Sequence, residues 1–186
     1  MIARSCYIGS AHAGGSIPHF REIAMDVRQA EPAELDVLAA LWRDGWQDAH
    51  AAILPAALVR DRTPESFRHR LAGAMAVVRV VGPVGAPLGF CLAHRDELYQ
   101  LCVCEAARGT GVAASLLADA EARMRAAGVE TAWLACAIGN VRAAMFYEKQ
   151  GWRRVAHMIS RLTTPDGVFP LEVWRYEKTV DDGSAT

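Results

Sequence analysis

A run of apolar residues breaks off at Glu105-Ala106-Ala107-Arg108-Gly109-Thr110-Gly111 and resumes on a helical period, which limits this chain more than any other feature. Before the break, Leu101 and Val103 alternate with Cys102 and Cys104, a strand pattern. After it, Val112, Leu116, Leu117, Ala120, Met124 and Ala127 fall on one face of a helix, and Gly128 is suited to end it. A strand that stops at glycines and opens a helix leaves several backbone N–H groups unpaired, with the positive end of the helix dipole behind them. Such a turn is an anion site: Gly109 and Gly111 let a diphosphate approach the backbone, and Arg108 adds charge at the rim. Taken alone, the turn would serve equally well as a plain connection between strand and helix.

A Walker loop needs a lysine that is missing here. Gly109-x-Gly111-x-x-Ala114 fits the loose form of the dinucleotide fingerprint of a nicotinamide-dependent oxidoreductase, but the acidic residue that motif wants after the next strand is absent, because Glu130 precedes that strand. A local anion site also suits the charge balance. With 20 Lys+Arg against 21 Asp+Glu and a net charge of -1, the chain lacks the basic excess that non-specific nucleic-acid or anionic-membrane binding requires. Its 186 residues, 52% hydrophobic, are enough for one domain with a substantial core. Five cysteines, an odd number set mostly inside apolar runs, argue against a disulfide framework and for a reducing, cytoplasmic compartment. No apolar stretch reaches the roughly 18–20 residues needed to cross a bilayer. Residues 1–24 carry Arg4 but no apolar core of a signal peptide, and read as a flexible tail, with Met25 as an alternative start.

The remaining elements follow by period and punctuation. Residues 26–30 alternate as a short strand, and Pro32 opens a helix through Leu35, Leu38, Ala39, Leu41 and Trp42. Residues 46–58 read as a loop or broken helix, and Thr63-Pro64-Glu65 starts a helix that ends near Gly73. Residues 75–81 and 88–93 form a hairpin, residues 131–137 a strand, residues 140–150 a helix stopped by Gly151, and residues 152–159 and 168–176 two further strands. Hairpins in the first half and a helical crossover in the middle predict an α/β (α+β) fold with a mixed, mostly antiparallel sheet flanked by helices.

Arg108-Gly109-Thr110-Gly111-Val112-Ala113 resembles the Arg/Gln-x-x-Gly-x-Gly/Ala motif of the GNAT superfamily of acyl-CoA-dependent N-acyltransferases. Downstream, Asn140-Val141-Arg142-Ala143-Ala144-Met145-Phe146-Tyr147-Glu148-Lys149-Gln150-Gly151-Trp152 is similar to that family's second signature. The resemblance covers residues 25–178 and leaves residues 179–186 as a C-terminal tail. It implies a GNAT-like sheet with splayed central strands, and acetyl-CoA as acyl donor and cosubstrate without a metal. On that basis Cys102, Val103 and Cys104 would pair with pantetheine. Arg108, Gly109, Thr110, Gly111, Val112 and Ala113 would hold the diphosphate, and Asn140 and Ala144 would flank the pantetheine arm. Asn140, Ala144 and Tyr147 are spaced to share a helix face, so the resemblance makes Tyr147 the acid that protonates the leaving thiolate. Packing alone would also account for a half-buried tyrosine.

An amine acceptor enters protonated, and a base must take its proton. The resemblance offers Glu97 for this task, with Asp96 and His94 as neighbours that could serve instead; a charged turn between strands is the bland alternative. The Val103 N–H would face the developing oxyanion. Cys102 and Cys104 read as small buried hydrophobes, since Cys-x-Cys without a second ligand pair makes neither a metal site nor an acyl-enzyme compelling. The segment from Trp42 to Pro55 resembles the helix-to-loop region that caps the acceptor pocket in such enzymes, with Trp46 and His50 one turn apart and able to face the acceptor, although Trp46 reads more readily as a core residue. The expected reaction is direct acetyl transfer to a small-molecule or peptide primary amine. A non-catalytic acyl-CoA-binding or regulatory protein on the same fold is the alternative. Dimers are common in such families, and residues 168–176 could support a homodimer.

Overall fold

The computed structural model describes residues 25–164 and 167–180. Its strands are β1 (Val27–Gln29), β2 (Val78–Val81), β3 (Gly89–His94), β4 (Glu97–Val103), β5 (Thr131–Ala137), β6 (Arg153–Thr164) and β7 (Gly167–Thr179). They form one sheet in the order β1-β2-β3-β4-β5-β7-β6. Every neighbouring pair is antiparallel except β4 and β5, which are parallel and joined by the crossover helix α4 (Val112–Ala126).

That parallel pair barely touches. Glu97↔Trp133 is its one registered pairing, reinforced by the Trp133 N–H donating to Asp96 O at 2.8 Å, and beyond it the two strands diverge. The splayed, mostly antiparallel sheet expected from the sequence is therefore present. Between β3 and β4 the register slips, with Leu92 opposite Gln100 and Ala93 opposite Leu98. Tyr99 is the extra residue of this bulge, which bends β4 where the gap opens.

Each face of the sheet is covered by helices. The predicted stripe of α4 buries Val112, Leu116, Leu117, Ala120 and Met124 against Cys91, Leu98, Leu134, Trp152 and Tyr176. On the other face, α1 (Leu35–His50) and α3 (Pro64–Ala72) bury Leu38, Trp42, Phe67 and Leu71 against Val80, Phe90 and Cys102. Thr63 caps α3 as its sequence suggested, accepting the Ser66 N–H, with Pro64 in the first turn. The remaining helices are the short α2 (Ala56–Asp61) and α5 (Val141–Lys149).

Several expected boundaries move. Of the two readings of residues 46–58, the broken helix is the one found: α1 runs on to His50 through Gly45, and after an interruption α2 begins at Ala56. Gly45 is tolerated mid-helix because a Cβ there would lie 2.5 Å from Cys102 Sγ, so its absence lets α1 settle on β4. β4 starts at Glu97, where the central strand was expected to begin, whereas Cys104 lies past its end at the start of a 3-10 turn. Residues 75–77 are also a 3-10 turn, not strand. β6 and β7 form a longer hairpin than expected. Thr179 belongs to β7, and Val180 is buried with its N–H donating to Glu130 O, so these two residues of the expected C-terminal tail are part of the fold. The tail expected over residues 1–24 and the rest of the C-terminal one lie outside the described residues.

One buried ion pair ties the first strand to the sheet. Glu34, 1% exposed, accepts from Arg28 Nη1 and Nη2 at 2.7 Å each, from the Glu31 N–H at 3.0 Å and from the Gly85 N–H at 3.1 Å. The Arg28 hydrogen bonds, foremost, lower its pKa from 4.5 to about 2. A carboxyl depressed in the folded state adds stability that is complete above its unfolded value and is lost as pH falls through the folded one. Stability should therefore decline between pH 4.5 and about 2. Glu34→Ala strands Arg28, which keeps partial solvent contact, and is expected to cost about 2–3 kcal/mol in urea unfolding at pH 7, with a smaller loss at pH 3.

Candidate active site

Where β4 and β5 part, they leave a cleft of about 480 Å³. Its walls are residues 98–103 of β4, residues 135–137 of β5, Gly45, Trp46, Ala49 and His50 of α1, the glycine turn, and the start and inner face of α5. Backbone N–H groups alternate sides along a strand. The Cys104 N–H is spent on Leu88 O at 2.8 Å, so the N–H groups of Val103 and Leu101 point away from β3 and into the gap. An exposed strand edge with no partner is the feature an extended, amide-bearing ligand can pair with.

At one end of the cleft the glycine turn is built as an anion cradle. Gly109 and Gly111 have φ of 76° and 97°, left-handed values that disfavour any side chain, and Gly111 stands at the N-cap of α4. Among the described residues, the N–H groups of Gly109, Gly111, Val112 and Ala113 have no hydrogen-bond acceptor. Thr110 Oγ1 donates to Ala107 O at 2.7 Å, which pins the turn, and the Val112 side chain is in the core. Val112 can therefore meet an anion only through its backbone, whereas Thr110, expected among the diphosphate contacts, spends its N–H on Ala107 O at 3.4 Å as well. Arg108 Nη2 and Arg142 Nη2 reach the same oxygen, Asp48 Oδ2, at 2.8 and 2.6 Å. These bonds, Arg142's first, hold the Asp48 carboxyl below its ordinary value.

The side walls carry the expected polar groups. Asn140 caps α5 by accepting the Ala143 N–H at 3.2 Å while lining the cleft. Ala144, one turn on, is buried beneath it. Tyr147 lines the cleft with its ring packed on Phe146, Trp152 and Tyr176, and its hydroxyl has no hydrogen-bond partner among the described residues. Burial, followed by neighbouring thiols, pushes the phenol well above its ordinary value. Cys102 is buried with Sγ directed at Leu41 O, 3.4 Å away, and desolvation raises its thiol to about 12, so it is not a thiolate nucleophile. Cys104 is half-buried beyond the strand.

On the α1 wall, the rings of Trp46 and His50 stack with centroids 5.2 Å apart. His50 Nδ1 lies 2.9 Å from Trp46 O; a carbonyl only accepts, so Nδ1 carries the proton and Nε2 keeps its lone pair. Desolvation lowers the His50 pKa, aided by Arg142, so the ring is neutral at pH 7. Glu97 is placed differently. It sits at the vertex of the two strands, one residue beyond the lining of the cleft, and burial followed by the charge of Asp96 raises its carboxyl. Sequence reasoning missed Asp48 and Arg142 as a pair, and Tyr99, because their partners come from distant segments. Among the described residues no group of three or more His, Cys, Asp or Glu side chains is placed to hold a metal ion.

The profile of the Acetyltransferase (GNAT) family matches residues 35–152. Solved structures share the architecture. A GCN5-related N-acetyltransferase from Rhodopseudomonas palustris superposes with a TM-score of 0.66 at 19% identity, covering 91% of this chain and 99% of that one. The PaiA N-acetyltransferase from Thermoplasma acidophilum, in complex with coenzyme A, gives 0.63 at 17% identity, over 83% and 98%. YncA from Salmonella typhimurium, a putative acetyltransferase with its cofactor acetyl-CoA, gives 0.61 at 16% identity, over 87% and 97%. At these identities the likeness is one of fold. Among curated proteins none matches the chain. With its glycine turn, its splayed strands and most of its length inside the matched region, the chain belongs to the GNAT family of acetyltransferases.

Proposed function

We propose that this protein moves the acetyl group of acetyl-CoA to a primary amine by direct attack within a ternary complex. The observation that carries this reading is the cradle of free N–H groups at Gly109, Gly111, Val112 and Ala113, continuous with a splayed strand edge that leads to Tyr147. The residues fit the donor. The turn and the nearby Arg108 and Arg142 suit a diphosphate, the open edge of β4 suits the amides of pantetheine, and Asn140 flanks the arm.

The chain's own groups then have separate tasks. The Val103 N–H faces the gap and stabilises charge on the thioester oxygen. Tyr147, kept protonated by burial, gives its proton to the departing sulfur as the C–S bond breaks and the C–N bond forms. An amine of pKa near 10.4 is free base in only about one molecule in two thousand at pH 7, which costs about 4–5 kcal/mol. His50 is the titratable group of the lining that is a neutral base near pH 7, and Nε2 takes that proton, directly or through water. Trp46 holds the imidazole by stacking and shapes the acceptor side.

The experiment is thiol release from acetyl-CoA across a panel of amines. Release that depends on amine, with acetylated product, supports the proposal; binding of acetyl-CoA without release by any amine contradicts it. His50→Gln should lower kcat/KM by about 10–100-fold at pH 7, with the deficit narrowing as pH rises toward the amine pKa. Glu97→Gln, changing a group one residue beyond the cleft, should stay within about threefold. The reverse order would transfer the base to Glu97.

A further inference from the structure

At the end of the cleft away from the glycine turn, two arginines stand behind Tyr99 and, among the described residues, neither is in ion-pair contact with a carboxylate. Tyr99, the bulge residue of β4, lines that end, and its hydroxyl accepts from Arg70 Nη2 at 2.7 Å. The Arg70 guanidinium stands over the Trp42 ring, 4.4 Å from its centroid, and this contact together with the Tyr99 hydrogen bond restrains it. Arg62, at the end of α2, is close enough to feel both Arg70 and Tyr99. It is 6% exposed, and its one hydrogen bond goes to a backbone carbonyl, Thr163 O at 3.2 Å on β6. Neither arginine has a carboxylate within ion-pair distance among the described residues.

A buried guanidinium stays charged and is costly unless an anion and further acceptors meet it. Elsewhere in this fold arginines find that anion within the chain: Arg28 at Glu34, Arg108 and Arg142 at Asp48. Here Arg70 stands behind the cleft-lining Tyr99 and Arg62 stands near both, with the charge of Asp61 nearby but, among the described residues, only uncharged groups in hydrogen-bond contact. We propose that the acceptor amine also carries a carboxylate, seated on Arg62 and Arg70 beside the Tyr99 hydroxyl; the acceptor is an amino acid and not a simple amine. The forked donors of arginine match a carboxylate in two-point contact, and the restrained Arg70 gives that contact direction. This rests on the acetyl-transfer reading and adds the substrate class.

The test is thiol release from acetyl-CoA with a set of amino acids, each run beside its methyl ester and beside the amine of the same skeleton without the carboxyl group. At least one amino acid should show kcat/KM about 10–100-fold above both counterparts, the span expected for charge-assisted pairing. Arg70→Gln should reduce that preference about tenfold, and Arg70→Lys should restore part of it, which a purely structural role would not do. Arg62→Met provides the second reading, and if it does not fold, Arg62→Lys replaces it. Heat of acetyl-CoA binding in the same samples reports the donor site separately. Acceptors used equally well with and without a carboxylate, a preference that survives the Arg70 and Arg62 changes, or donor binding with no amino acid consumed would each overturn the proposal. Loss of donor binding in the unaltered protein would overturn the acetyl-transfer reading itself, and this one with it.

Discussion

Tyr147→Phe is expected to lower kcat by about 100-fold or more while leaving the affinity for acetyl-CoA nearly unchanged. The substitution removes one oxygen and no ring, so the packing on Phe146, Trp152 and Tyr176 survives. A hydroxyl without a partner in the folded protein leaves no orphaned group when it goes, and stability should hold or rise slightly. The thiolate must then leave without a positioned acid, and the whole penalty falls on the chemical step. Because burial keeps the phenol protonated through the neutral and mildly alkaline range, the alkaline limb of the wild-type profile should not begin near pH 10 but above it. Steady-state kinetics with a slow and a fast thiol ester separate the two views: unchanged turnover would return Tyr147 to a packing role.

Gly111→Val carries the second large effect, on binding. At φ 97° a β-branched residue is strained by about 1–2 kcal/mol, and its Cβ would lie 2.8 Å from Met25 Cε. The tip of Met25 can swing aside, but the backbone strain is relieved only if the turn opens, which turns the N–H groups of Gly111 and Val112 away from a common point. Loss of two charge-assisted hydrogen bonds, at about 1.5–3 kcal/mol each, weakens acetyl-CoA by about 100-fold or more in calorimetry. Unfolding of the variant in urea should show a loss of only about 1–2 kcal/mol, which separates a damaged site from a damaged fold.

Much of this architecture was legible because local and long-range signals agreed. The stripe from Val112 to Ala127 had a single period, and the structure buries all the residues it marked except Ala127, which is the exposed C-cap of α4. The splay of β4 and β5 followed from the family likeness, since nothing in an apolar strand pattern says that its partner will diverge. Where prediction slipped, two signals competed. Tyr99 and Gln100 break the alternation of β4 because a bulge sits there, which the apolar pattern does not mark. The helix expected through Trp42 runs on past Gly45, the point where it presses on Cys102.

The candidate site divides in the same way. The phosphate end is encoded in one contiguous segment, and its glycine pattern could be read directly. The end proposed for the acceptor draws on α1, on Tyr99 of β4 and on arginines behind it from the end of α2 and from α3, so Arg62, Arg70 and Tyr99 are unremarkable one at a time. His50 illustrates the intermediate case. Its place beside Trp46 followed from helical spacing, but its free Nε2 depends on the Trp46 carbonyl, which only coordinates reveal.

A crystal structure of the protein soaked with acetyl-CoA tests the central claim most directly. The account predicts diphosphate oxygens within about 3 Å of the N–H groups from Gly109 to Ala113, and the thioester oxygen at a similar distance from the Val103 N–H, with sulfur beside Tyr147. A diphosphate bound elsewhere, or a thioester that leaves the gap between β4 and β5 unfilled, would contradict it.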